Sequence, residues 1–108
     1  MKRYVIAQIS FEGFHHWPDA PDSVAFLSDS HRHIFTVQAK KAVFHGDRDT
    51  EFILLGREIR EYILIQYGSP AELGAMSCEH LAEELVKKFF LEECVVWEDM
   101  ENAGGVRK

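Results

Sequence analysis

The chain has 108 residues, 46% hydrophobic and 28% charged, which fits one ordinary globular domain over residues 1–108 and argues against disorder. Its formal charge of −6, from 12 Lys and Arg against 18 Asp and Glu, leaves no basic stripe for a nucleic-acid backbone. No apolar run approaches the ~18 residues of a membrane span. Met1-Lys2-Arg3 opens onto an alternating segment rather than a signal core, and Cys78 and Cys94 form no C-x-x-C pair. The expectation is a cytoplasmic protein with neither nucleic-acid nor membrane partners.

Residues Tyr4 to Phe11 alternate, with Val5, Ala7, Ile9 and Phe11 on one side and Tyr4, Ile6, Gln8 and Ser10 on the other. That period of two predicts a strand with one buried face. From Gly13 to Ser30, two prolines, a glycine and several Asp and Ser predict a long loop, a length that compact domains usually reserve for function. His33 to Phe44 returns to strand character through Ile34, Phe35, Val37, Val43 and Phe44. His45-Gly46-Asp47-Arg48-Asp49 predicts a turn.

Phe52, Leu55, Ile59, Tyr62 and Ile63 recur at spacings of three and four, which predicts an amphipathic helix ending near Tyr67-Gly68. Ser69 to Ala75 is expected to be a loop. Ser77 is a plausible N-cap for a second helix with Leu81, Leu85 and Phe89 on its apolar stripe, and Glu79 falls in its first turn, where the helix dipole favours a carboxylate. Cys94 to Trp97 predicts a third strand, and Asn102 to Lys108 carries little signal beyond room for one more short strand. The order β-β-α-α-β predicts an α+β fold, an antiparallel sheet with two helices on one face.

Six histidines stand at 15, 16, 31, 33, 45 and 80. His31 and His33, two apart at a strand start, point to the same face, so their imidazoles can converge on one metal ion. A third ligand from the loop past the first strand, His15 or His16, would complete a three-histidine set. Three protein nitrogens leave a fourth tetrahedral position open, the catalytic arrangement for Zn2+.

Phe11-Glu12-Gly13-Phe14-His15-His16-Trp17-Pro18 resembles the F-x-A-A-H-x-L opening of the 6-pyruvoyl- and 6-carboxytetrahydropterin synthases. His31-Arg32-His33 resembles the family's H-G-H, and Glu51-Phe52 its D-F. Met76-Ser77-Cys78-Glu79-His80-Leu81-Ala82 is similar to its P-T-x-E-x-L-A, and Val95-Val96-Trp97-Glu98-Asp99 to its closing V-x-V-x-E-T. The matches keep their order over nearly the whole chain. The resemblance implies the tunnelling fold (T-fold), with subunits joined into a barrel, and hence a homo-oligomer. It assigns His15, His31 and His33 to zinc. It implies a pterin- or purine-like small-molecule ligand held by Glu98, with Glu79 beside it. A carboxylate suits that task because it accepts two hydrogen bonds from an adjacent ring N–H and amine.

The sequence departs from the family where protons move. The family's catalytic cysteine falls four residues before the first His of H-G-H, which here is Leu27. Its Asp-His pair after the first helix is missing, because Tyr67 to Met76 holds neither residue. Asp29 and His80 are the remaining candidates for proton transfer. General acid–base groups contribute about 10²–10⁴-fold in rate, so the sequence predicts a zinc-dependent lyase that is crippled, a relative that only binds a pterin, purine or nucleotide ligand, or a structural oligomerising protein that keeps the fold without the pocket.

Overall fold

The computed structural model describes all 108 residues, Met1–Lys108. Five strands and two α-helices follow in the order β1 (Arg3–His15), β2 (His31–Val43), α1 (Phe52–Tyr67), β3 (Ala71–Gly74), α2 (Cys78–Phe89), β4 (Glu93–Glu98) and β5 (Asn102–Arg107), with a 3₁₀ stretch at Asp22–Ser28 between β1 and β2. The fold is mixed α+β, and one five-stranded sheet runs β3-β1-β2-β4-β5.

β1 and β2 pair antiparallel along their whole length, from Arg3 opposite Val43 to His15 opposite His31. β2 pairs antiparallel with β4, and β4 with β5. Ala7 and Ile9 of β1, Phe35, Val37 and Ala39 of β2, and Cys94 and Val96 of β4 are all buried. They share one core with Leu55, Ile59 and Ile63 of α1 and Leu81, Leu85 and Val86 of α2, so both helices cover the same face. The alternation read in Tyr4–Phe11 is therefore the real division between the core and the open face. The open face is threaded by polar links instead: Ser10 to Thr36 at 2.8 Å, and Trp97 Nε1 to Gln38 to Gln8 at 2.8 and 2.9 Å.

The helix ends follow from local chemistry. The Glu51 carboxylate accepts from the Ile53 N–H and opens α1, and Gly68 closes it at φ +86°. The Ser77 hydroxyl accepts from the His80 N–H at 3.1 Å and opens α2. Glu84 ties the helices together by accepting from the hydroxyls of Tyr62 and Tyr67.

The structure corrects the expected sheet in two places. β1 continues past Phe11 to His15, through Gly13, whose missing side chain hides the alternation. A Cβ there would stand 3.1 Å from the Phe35 ring and 3.2 Å from the Ala71 carbonyl, so glycine is what admits β3 and Phe35 beside it. The segment Ser69–Ala75 is not all loop: Ala71–Gly74 forms β3 and pairs parallel with Gly13–His15, so the sheet is mixed rather than purely antiparallel. The further short strand for which the tail left room is present as β5, despite its two adjacent glycines. At Gly104 the first turn of α2 comes so close that a Cβ would lie 3.1 Å from the Glu79 nitrogen.

Candidate metal centre

The buried stripe of the sheet changes character at one end. On β2, Ala39, Val37 and Phe35 give way to His33 and His31; on β1, Ala7, Ile9 and Phe11 lead to His15; on β4, Cys94 and Val96 lead to Glu98. The β1–β2 register sets His15 directly across from His31, and the β2–β4 register sets Phe35 across from Glu98. Phe35 forms the floor, with its ring edge-on to His15 at 5.1 Å and to His33 at 5.6 Å between centroids.

His15, His31 and His33 each offer a ring nitrogen, and the three lie within 4.8 Å of one another. His15, rather than its neighbour His16, is the member that β1 contributes. Each of the three Nδ1 atoms is already engaged: His15 with the Met76 carbonyl at 3.0 Å, His31 with the Asp29 carbonyl at 2.8 Å, and His33 with Asp99 Oδ2 at 2.7 Å. A carbonyl or carboxylate oxygen can only accept, so each Nδ1 carries a proton. In a neutral ring that leaves the lone pair on Nε2. His33 Nε2 is buried with no hydrogen-bond partner. A buried nitrogen without a partner costs roughly 1–3 kcal/mol, and this one belongs to a set of imidazoles whose other nitrogens are held by outer acceptors. That is the arrangement metal-binding histidines use, so the three residues fit a metal ion.

Glu98 joins the cluster. Its Oε2 lies 2.8 Å from His15 Nε2 and 3.7 Å from His33 Nε2. Both nitrogens of His15 therefore face acceptors, which favours the doubly protonated ring in the metal-free protein. Burial works to lower the His15 pKa, but the Glu98 hydrogen bond and the Met76 carbonyl together outweigh it, and the value rises above its ordinary position. The His15 hydrogen bond holds the Glu98 carboxyl below its usual range against the opposing effect of burial, and the nearby His33 adds to the lowering. Metal coordination at His15 would have to expel the Nε2 proton.

A cavity of about 630 Å³ opens beside His15, His31 and Glu98. Trp17 and Leu27 line it from the β1–β2 connection, and Cys78 and Glu79 from the first turn of α2. Glu79 thus lies in the same cavity as Glu98. Asp29 and His80 do not line it: the Asp29 backbone carbonyl serves His31, and His80 is exposed on α2. Burial, followed by the charge of Glu98, pushes the Cys78 thiol up to about 12. Spacing alone did not point to the thiol or to Asp99. Cys78 is an ordinary first-turn helix residue in sequence, and the Asp99 contact to His33 spans 66 positions.

Comparison with known proteins finds no family model that matches this chain and no matching curated protein. No helix is long and apolar enough to cross a membrane.

The ion pair sets a pH dependence for the metal-free protein. His15 is raised above 6.5, so its contribution is complete below about pH 6.5 and is lost as pH rises through the folded value. Glu98 is lowered from 4.5, so its contribution is complete above about pH 4.5 and is lost as pH falls through the folded value. The stability difference between wild type and Glu98→Gln, read from urea midpoints after chelation, should be largest between those limits and shrink on either side. A difference that stays flat from pH 4 to pH 8 would show that the pair stabilises nothing.

Proposed function

We propose that this chain is a zinc-binding domain of the tetrahydropterin-synthase type that takes a pterin- or purine-like ring in the cavity beside His15, His31 and Glu98. The observation that carries the reading is the inward convergence of three imidazoles whose Nδ1 atoms are all held from outside. Three neutral nitrogens without a thiolate suit zinc in an open site. A bound zinc ion would act as a Lewis acid toward an oxygen of the ligand.

The chain's own residues would recognise the ring. Once His15 gives up its Nε2 proton, Glu98 is free to accept from a ring N–H and its neighbouring amine. Trp17, about half exposed at 47%, offers a flat apolar surface at the cavity mouth. Proton transfer has weaker support. Leu27 has no proton to exchange, the Cys78 thiol stays protonated at neutral pH, and neither Asp29 nor His80 borders the cavity. Ligand binding is therefore favoured over rapid turnover.

The sheet edges support the oligomeric part of the reading. β3 covers β1 only at Gly13–His15, so most of β1 is an open edge, and β5 is the other edge. The four strands β1, β2, β4 and β5 alternate in direction. β5 of one copy and β1 of the next would then meet antiparallel, as a closed tunnelling-fold barrel requires. A cytoplasmic setting, with Cys78 and Cys94 both free, belongs to the same reading.

Purified protein should carry roughly one zinc per chain, and His31→Ala/His33→Ala should lose it. Calorimetric titration should show binding of neopterin or guanosine to the wild type. Glu98→Gln should weaken that binding about tenfold or more, since hydrogen bonds to a charged group are worth roughly 1.5–3 kcal/mol. Full zinc content in the double variant removes the metal assignment. Absence of ring binding by zinc-loaded wild type removes the ligand assignment, and robust conversion of dihydroneopterin triphosphate would show that proton-transfer groups are present after all.

Light scattering at micromolar concentration should give the mass of several chains. A monomer would remove the barrel assembly.

A further inference from the structure

His33 stands between two carboxylates that are adjacent in sequence. Asp99 Oδ2 is 2.7 Å from its Nδ1, and Glu98 Oε2 is 3.7 Å from its Nε2. A neutral imidazole has one N–H proton, and each carboxylate attracts it to its own side. A proton on Nδ1 turns the lone pair inward; a proton on Nε2 turns it outward and removes the ligand.

We infer that Asp99 is the positioning residue of the metal centre: it holds the His33 proton on Nδ1 against the pull of Glu98 and so keeps the Nε2 lone pair available. This rests on the metal reading of the three histidines and goes beyond it, because Asp99 is not one of the clustered histidines and does not line the cavity.

Three observations support the assignment. The first is distance, since Asp99 is in hydrogen-bond contact and Glu98 is not. The second is fixation. The Asp99 N–H donates to the Ile34 carbonyl at 2.8 Å, and Asp99 Oδ1 accepts from the Ile34 N–H at 2.8 Å. Both ends of the residue are therefore tied to the strand that carries His33, leaving Oδ2 aimed at the ring. The third is the contrast with the other two ligands. His15 and His31 are held by backbone carbonyls of Met76 and Asp29, whereas His33 alone depends on a side chain. The outer partners of metal-bound histidines typically contribute 10–100-fold in affinity.

The test is a double-variant cycle on full-length protein, with zinc affinity measured by chelator competition. Asp99→Ala should weaken zinc binding by about 10–100-fold. Glu98→Gln removes the acceptor that holds the His15 Nε2 proton, so it should tighten zinc binding somewhat in the wild-type background. In the Asp99→Ala background the gain from Glu98→Gln should be larger, because the carboxylate that competes for the His33 proton is gone as well. A purely structural role for Asp99 predicts the same gain in both backgrounds, and coupling between contacting residues is what such a cycle measures. A second readout uses metal-free protein with ¹⁵N-labelled histidine. The His33 shifts should report the Nδ1–H tautomer in wild type and move toward Nε2–H in Asp99→Ala, while His31 stays unchanged. Asp99→Ala with wild-type zinc affinity, an equal gain from Glu98→Gln in both backgrounds, or an unmoved His33 tautomer would each overturn the assignment. Failure of the wild type itself to bind zinc would overturn the metal reading instead.

Discussion

The antiparallel ladder between β1 and β2 runs in continuous register from Arg3 opposite Val43 to His15 opposite His31. Side chains along a strand alternate between faces, so this register decides at once which residues enter the core and which imidazoles meet. A slip of one residue would turn Phe35, Val37 and Ala39 toward the open face and carry His31 and His33 with them. The apolar part of the stripe thus enforces the polar part. His15 and His31 face each other because Ala7, Ile9, Val37 and Ala39 are buried under the helices.

Placing ionisable rings at the end of a core demands partners for every nitrogen. The fold finds them in chain segments that meet only there. Met76 lies between β3 and α2, Asp29 ends the 3₁₀ stretch, and Asp99 follows β4. Phe35 shields the cluster from below, and the cavity opens it to one side. Glu98 balances the site in the absence of metal by accepting from His15. His33 Nε2 stays buried without a partner, so the cluster differs from a satisfied polar core and could hold an ion.

Much of this was legible in the residues, and the failures have physical causes. The alternation of Tyr4–Phe11 marked the buried face correctly, and the spacing of Leu55, Ile59 and Ile63 and the Ser77 cap placed both helices. The His31-x-His33 pair announced a shared face. Whether His15 or His16 joined it depended on β1 continuing through Gly13, where the pattern has no side chain to show. β3 is four residues long, too short for periodicity, and is held by parallel pairing with β1. β5 contains Gly104 and Gly105, poor strand formers, and exists because β4 and the start of α2 supply its neighbours. The family resemblance pointed to the three histidines. The link from Asp99 to His33 required the β2–β4 pairing, which no local signal carries.

The turn after β4 shows where local preference yields to the site. Glu101 N–H closes onto the Glu98 carbonyl at 2.9 Å, and the two central residues, Asp99 and Met100, both have positive φ, +52° and +57°. Glycine and asparagine favour such a turn, and aspartate tolerates it, but methionine has no compensating interaction of its own. Backbone held in a sparsely populated region costs of order 1–3 kcal/mol and persists where its surroundings over-determine it. Here the surroundings are the two Ile34 hydrogen bonds and the His33 contact, all made by Asp99. The tight reversal lets consecutive carboxylates reach opposite sides of one imidazole, Glu98 from the last strand position and Asp99 from the turn. A relaxed loop would keep β4 and β5 paired, yet it would release Oδ2 from His33. Single left-handed residues also occur at Arg48 and Phe90, but two in succession fall at the connection whose shape the histidine cluster needs.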